Sequence, residues 1–593
     1  MLNLSFQLLK LFAEGVLPAT TVQALAGAAR SDGWGLDDDL ASKLAGIGAS
    51  GAHPSNCLRD LMRVAKKLSI AECTPEPYHV LVPAAKGKSR IVSVVLPHEQ
   101  AQMAAQQYGS ENFTCSQECW DNDHGVGKLL QTWSTLVGID PVVVRDFVAI
   151  GLHADGVSYS STQRVGQTKS AAVSAWNFVS AAADKYRGKR FLFFALSKSL
   201  LCDCGCEGFH TIDVLNGIFA WSMNAMASGV APVRRHDGCP WTKFDKKHRL
   251  KGDLRCRGAL LQVRGDWEWL VQAFRLRHYS ADTFCYLCDA SHVGDRTYLN
   301  LADNAPWRNT SITHERYLCE CARQGAPPSK LFSSPGFRFE YISVDSMHCV
   351  DLGIFADAVG SLMFLEVSSK TLHRNYAEGI EWLNSQLSMF YSVQPKKLTT
   401  FHATLPAIKP SDGGYPSLKS KAAACRHLAP FIVYLANRHK AMRFQLEDGR
   451  LVQHSAEYGE LVVEMANYFA GYHASCEAEP FSPVRCRDQM LGFLSTYNKL
   501  RLLFRRGLPE AEHASQVFGV RPKFHLSDHL VREKIFLYGS PRLFWCYGDE
   551  DFVGLVKRIA IQTRHPRTME LRLLAKYRLF AALHAWSLSN LER

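Results

Sequence analysis

The chain has 593 residues, of which 47% are hydrophobic, 21% charged and 11% aromatic; this excludes a largely disordered protein and calls for more than one domain. Lys and Arg total 68 against 56 Asp and Glu, a net charge of +12 that favours an anionic partner such as nucleic acid and says nothing about fold. The 18 cysteines are scattered, which excludes a disulfide scaffold and points to a reducing compartment.

The opening stretch MLNLSFQLLKLFAEG reads as an amphipathic helix interrupted by Lys10 and Glu14, without the basic leader of a signal peptide. No window offers about 18 uninterrupted apolar residues, so no membrane span is expected. Residues 1–141 read as a mainly helical N-terminal region of unknown role. It holds one helix near 56–68 and a strand pair, VLVPAAKGKSRIVSVVLP, folded at a Lys-Gly turn. From residue 142 the texture changes. VVVRDFVAIGLHADGVSYS, RFLFFALSKSL and GALLQVRGD are β-branched and aromatic and read as strands. KSAAVSAWNFVSAAADKY and TIDVLNGIFAWSMNAMA read as helices between them, so residues 142–290 are expected to form an α/β layer. RQGAPPSKLFSSPGFR reads as a linker, residues 291–515 as a mainly helical insertion and residues 516–593 as closing helices.

Chemistry concentrates at a few points. Asp155 ends the apolar run FVAIGLHADG, and Asp266 stands at a strand-to-helix corner before WEWLVQAF. Taken singly, the first reads as a turn residue and the second as a helix cap. Cys285 and Cys288 form a lone CxxC, half of a closed structural zinc site. His525 and His529, in HLSDH, are four apart and share one face of a helix, which would supply the other half and staple the end of the chain back to the α/β layer. Glu550 opens a helix 25 residues after His525.

In this order and at this spacing the residues resemble a DDE-type transposase of the RNase H-like class, in particular the CACTA/Transib group, to which the catalytic subunit of the V(D)J recombinase is related. Asp155 and Asp266 are 111 residues apart, Cys285 follows Asp266 by 19, and Glu550 follows it by 284. VDSMHCVDLG supplies the Met-His pair, Met347 and His348, found inside the insertion of that group. The resemblance covers roughly residues 145–580. It implies an RNase H-like mixed-sheet core interrupted by a large, zinc-tied helical insertion. It also implies that Asp155, Asp266 and Glu550 hold two Mg²⁺ or Mn²⁺ ions for metal-dependent cleavage and strand transfer at transposon ends. Structural Zn²⁺ would sit on Cys285, Cys288, His525 and His529. His348 reads either as a replacement for one of the two histidines on zinc or as a residue that orders the active site. The partners implied are double-stranded DNA and further copies of the chain, in the nucleus. The alternative is a catalytically inactive, transposon-derived DNA-binding protein. Relatives often carry a Glu near the position of Ala424, and Asp549 and Asp551 flank Glu550, so the third carboxylate is chosen on spacing.

Three further groupings stand out. CDCGC places Cys202, Cys204 and Cys206 together with His210 beyond, as a metal site or a structural turn. Cys319 and Cys321 lie within reach, in sequence, of the zinc region. Lys243, Lys246, Lys247, Arg249 and Lys251 form a basic run near Trp241 and Phe244, as a solvated loop or a contact to DNA phosphates. Lys557, Arg558, Arg564, Arg567 and Arg572 add positive charge near the C-terminus.

Overall fold

A computed structural model describes residues 4–34, 38–67, 74–159, 169–181, 183–369, 372–409, 414–442, 455–509, 516–563 and 568–591; Arg564 and Arg567 lie outside them. Two sheets are present. Strands β1 (Tyr78–Ala84) and β2 (Lys88–Val94) form an antiparallel hairpin. Its turn places Lys86 and Gly87 at φ of 63° and 62°, the paired left-handed conformation that favours a glycine in a two-residue hairpin turn. The second sheet is built from β3 (Phe147–Ser158), β4 (Ser170–Phe178), β5 (Phe191–Ser197) and β6 (Arg257–Gly265), in the order β5-β4-β3-β6. The first three run antiparallel, and β6 lies parallel to β3. Beyond β6 a single parallel bridge joins Val263 to Ile342, and the Ser343 amide donates to the Val263 carbonyl at 2.9 Å.

Two expectations fail here. KSAAVSAWNFVSAAADKY, read as a helix for its alanines, contains the central strand β4. Its side chains alternate between faces: Ala171, Val173 and Ala175 join one apolar cluster, while Ala172, Trp176 and Phe178 join another. Both faces are covered by helices, so the polar half of the alternation is missing and small residues replace it, which hides the two-residue period. The stretch RQGAPPSKLFSSPGFR is no free linker either. Leu331 and Ser329 are buried, Ser329 accepts a hydrogen bond from the Asn216 side chain, and the segment is strapped along the helix Phe209–Ser228.

One face of the sheet packs on the helices Tyr547–Gln562 and Met569–Leu591 through Val553, Val556, Ile559, Leu573 and Leu574. The other carries the helix Phe209–Ser228 and runs without a break into the helical residues 355–505, whose long pair Ser455–Glu477 and Pro483–Arg505 lies side by side. The N-terminal residues divide between two places. Helices within residues 4–67 form a small core with Leu579 and Leu583 of the last helix, whereas the β1–β2 hairpin and the helix Pro97–Tyr108 join the main core.

Candidate active site and metal centre

Parallel pairing of β3 with β6 ends at Ala154 opposite Gly265. One step further along both strands stand Asp155 and Asp266, so the register itself brings the two carboxylates together. Gly265 is required for this corner: a Cβ there would come within 2.7 Å of the Trp269 ring and 3.0 Å of the Ala154 carbonyl. Asp266 does cap the helix Trp267–Phe274, accepting from the Trp269 amide at 2.7 Å, and it also lines a small cleft with Asp155, Lys198, Glu268, Trp269 and Gln272. Burial, and then repulsion from Asp155, raise the Asp266 carboxyl above its ordinary range.

Glu550 reaches the same place from the first turn of the helix Tyr547–Gln562. Burial, followed by the charge of Asp155 and a hydrogen bond to it, pushes the Glu550 carboxyl up to about 8. Its Oε1 atom is buried without a hydrogen-bond partner and lies 4.0 Å from His348 Nε2. The three adjacent acids divide cleanly. Asp549 is buried against Arg264 and Arg190, Asp551 is exposed, and only Glu550 meets Asp155. Ala424 is 1% exposed within the main apolar core.

His348 is held by Asp345, whose Oδ2 lies 2.6 Å from His348 Nδ1. Burial opposes the charged imidazole, but Asp345 overrides it and lifts the group to about 9. Asp345 itself is buried and accepts from the amides of Met347, His348 and Cys546 at 3.2, 3.0 and 2.8 Å. It therefore ties the Met347–Ile354 helical turn to the residue that precedes the Glu550 helix. Sequence reading missed Asp345 and Arg264, and it weighed Asp549 only as a neighbour of the third carboxylate and not as the buried partner of Arg264. The signal for the first was an acid three residues before His348; for the second, an arginine inside the strand GALLQVRGD, where only a buried partner makes a charge tolerable.

The second constellation is the candidate metal centre. Cys285, Cys288, His525 and His529 are all buried, and their ligand atoms lie within 4.8 Å of one another across 237 residues of chain. Cys288 Sγ is 3.2 Å from His525 Nε2 and 3.4 Å from His529 Nε2; Cys285 Sγ is 3.7 Å from His529 Nε2; and the two Nε2 atoms are 3.1 Å apart. A tetrahedron with arms of about 2.0 Å to nitrogen and about 2.3 Å to sulfur has edges of about 3.3 to 3.8 Å, so the four groups fit one zinc ion. Cys285 Sγ accepts from the Leu287 amide at 3.3 Å and Cys288 Sγ from the Ala290 amide at 3.4 Å, bonds that stabilise thiolate sulfur. His529 Nδ1 meets Glu533 Oε1 at 2.7 Å, which fixes the tautomer that presents Nε2. His348 stands at the carboxylates and not in this centre. Cys319 is exposed and Cys321 packs against Tyr317, so neither joins it among the described residues.

Lys243, Lys246, Lys247, Arg249 and Lys251 are exposed on and after a turn capped by Thr242. Phe244 stands out beside them, 84% exposed, with the Lys243 ammonium over its ring. Lys247 pairs with Glu76, and Arg249 donates to the carbonyls of Trp241 and Thr242. No helix among the described residues is long and apolar enough to cross a membrane. No protein-family model matches the chain, and no curated protein matches it significantly.

Proposed function

We propose that the protein is a metal-dependent DNA strand-cleaving and strand-transferring enzyme of the RNase H-like DDE class, acting at transposon ends. The observation that carries this reading is the meeting of Asp155, Asp266 and Glu550 from three distant parts of the chain. Each meets a second carboxylate there, and burial with repulsion from Asp155 raises the carboxyls of both Asp266 and Glu550 above their ordinary range. Such a cluster is costly unless cations neutralise it. Mg²⁺ or Mn²⁺ suits hard carboxylate oxygens and, when bound, supplies activation of the attacking oxygen and neutralisation of the leaving one. The chain's own part is placement. The β3–β6 register sets the two aspartates, the Asp549 clamp sets the Glu550 helix, and the Asp345–His348 pair keeps a cation beside Glu550. Lys198, at the cleft rim, is placed to meet a phosphate.

A mixed sheet of three antiparallel strands and one parallel strand, covered by helices on both faces, supports an RNase H-like core. The Cys285–His529 centre supports the zinc-tied insertion between core and final helices. The basic turn at 243–251 with exposed Phe244 is a backbone contact to double-stranded DNA in this reading. Action on paired ends by a homo-oligomer, in the nucleus, follows from the resemblance.

The test is nicking of supercoiled plasmid in Mn²⁺. Wild type is expected to nick, and Asp266→Asn and Glu550→Gln to bind DNA equally well without nicking. Nicking that survives both substitutions overturns the assignment of these carboxylates. Salt-dependent DNA binding with no nicking by wild type favours the inactive DNA-binding protein.

A further inference from the structure

Cys202, Cys204 and Cys206 alternate along the turn that follows β5, and His210 is the second residue of the helix Phe209–Ser228. Such a turn brings side chains together only if the backbone reverses sharply. It does so: Gly205, Glu207 and Gly208 have φ of 87°, 51° and 88°. Glu207 is the telling one, because a side chain in the left-handed region is destabilising and persists only where the surroundings impose it. The result is that three sulfurs and one imidazole nitrogen lie within 4.8 Å of one another. His210 Nδ1 is 3.3 Å from Cys204 Sγ and 3.8 Å from Cys202 Sγ.

The backbone around the cluster is fixed from three sides. The Cys202 amide donates to Thr211 Oγ1, and that hydroxyl donates to the Pro83 carbonyl of β1, at 2.9 and 2.6 Å. Asp203 Oδ1 accepts from the Lys86 amide at the hairpin turn at 2.8 Å, and the Phe209 amide donates to the Cys206 carbonyl at 2.8 Å. None of these bonds uses the sulfurs or the imidazole. They preorganise four soft ligands and leave them facing one another.

We propose that Cys202, Cys204, Cys206 and His210 form a second metal site, binding one zinc-class ion through three sulfurs and one nitrogen. Its chemistry differs from that of the buried centre. There the set is two sulfurs and two nitrogens, closed to solvent; here Cys202 is buried, Cys206 is partly buried and Cys204 and His210 are exposed, so the ion has an entry path and exchanges. The place matters as well. Gln272, which lines the carboxylate cleft, donates to the Glu207 carbonyl inside the turn, and Lys198 leads into it. Metal binding would hold this rim of the cleft and the β1–β2 hairpin as one piece.

The experiment is zinc analysis of the full-length protein, purified under reducing conditions and passed through a desalting column after zinc supplementation. It is combined with X-ray absorption at the zinc edge. Wild type is expected to hold about two zinc per chain with about 2.5 sulfur neighbours per zinc on average; Cys204→Ser/Cys206→Ser is expected to hold about one, with about two sulfurs. Cys204 is exposed and Cys206 partly so, so the variant is expected to keep its circular dichroism spectrum. His210→Ala is expected to lower the second equivalent's affinity at least tenfold by chelator competition. Equal zinc content in wild type and the double variant overturns the proposal, and so does a wild type holding one zinc whose other thiols oxidise in pairs.

Discussion

Arg264 and Asp549, 285 residues apart, form a two-pronged ion pair beneath the carboxylate cleft: Nε donates to Oδ2 at 3.0 Å and Nη2 to Oδ1 at 3.2 Å. Both are buried, at 1% exposure each, and Arg190 closes the second side of the same carboxylate. Asn177 accepts from Arg264 Nη2 at 2.7 Å, and Gly151 leaves the space: a Cβ there would sit 2.3 Å from the guanidinium. The pair fastens the Glu550 helix to β6 and β4 at one point.

Breaking it from one side leaves a buried, uncompensated charge. Asp549→Asn or Arg264→Met is therefore expected to lose about 3–5 kcal/mol of stability in urea denaturation. Removing both charges in Arg264→Met/Asp549→Leu is expected to recover part of that loss, and the double-mutant cycle gives the coupling. Single variants as stable as wild type would mean that the pair does not form.

A zinc ion bound in the buried centre would lean on Glu533 through His529. Glu533→Gln keeps the hydrogen bond but removes the charge, and it is expected to weaken zinc binding about tenfold or more in competition with a chromophoric chelator. Stripping the metal with a strong chelator is expected to lower the melting temperature sharply, because the closure of two distant segments goes with it.

Lys576 lies in the last helix, 1% exposed, with its ammonium donating to the Gln562 side chain and lying 4.0 Å from the Phe12 ring centre. Burial lowers its pKa to about 7. Between that value and the ordinary lysine range near 10.4 the unfolded chain binds the proton and the folded chain does not, so this group adds stability as pH rises from about 7 to about 10. Lys576→Met is expected to raise the melting temperature at pH 7 and to flatten that part of the stability–pH curve. A curve with the same slope in both proteins would remove Lys576 as its source.

On the basic turn, Lys246→Ala is expected to weaken DNA binding by a similar factor for every sequence and to reduce the salt slope by about 1. A sequence-dependent loss measured by fluorescence anisotropy would point instead to contacts with bases.

Much of the site was legible because its residues break local rules. A CxxC without a partner and two histidines one turn apart each lack a reason alone, and Asp155 and Asp266 were visible as acids closing two apolar runs, although β3 continues past Asp155 to Ser158. What stayed hidden was tertiary. β4 is a strand because Ala172 and Trp176 meet one layer while Val173 and Ala175 meet the other, and its alanines carry no periodic polarity to announce this. Arg264 reads as an interruption of a strand until Asp549 stands opposite it. Asp345 looks like an ordinary loop acid, and its role depends on Cys546, 201 residues later.

The Cys and His cluster from 285 to 529 and the carboxylates from 155 to 550 have a consequence for synthesis. A ribosome makes the chain from its N-terminus, so the sheet and the CxxC are finished long before their partners exist. The four Cys and His ligands cannot meet until His529 has been made, nor the three carboxylates until Glu550 has been made. Every nascent or prematurely terminated chain lacking Glu550 therefore has one face of its sheet uncovered and no complete site. Whatever chemistry the cleft performs is withheld until Glu550 has been made.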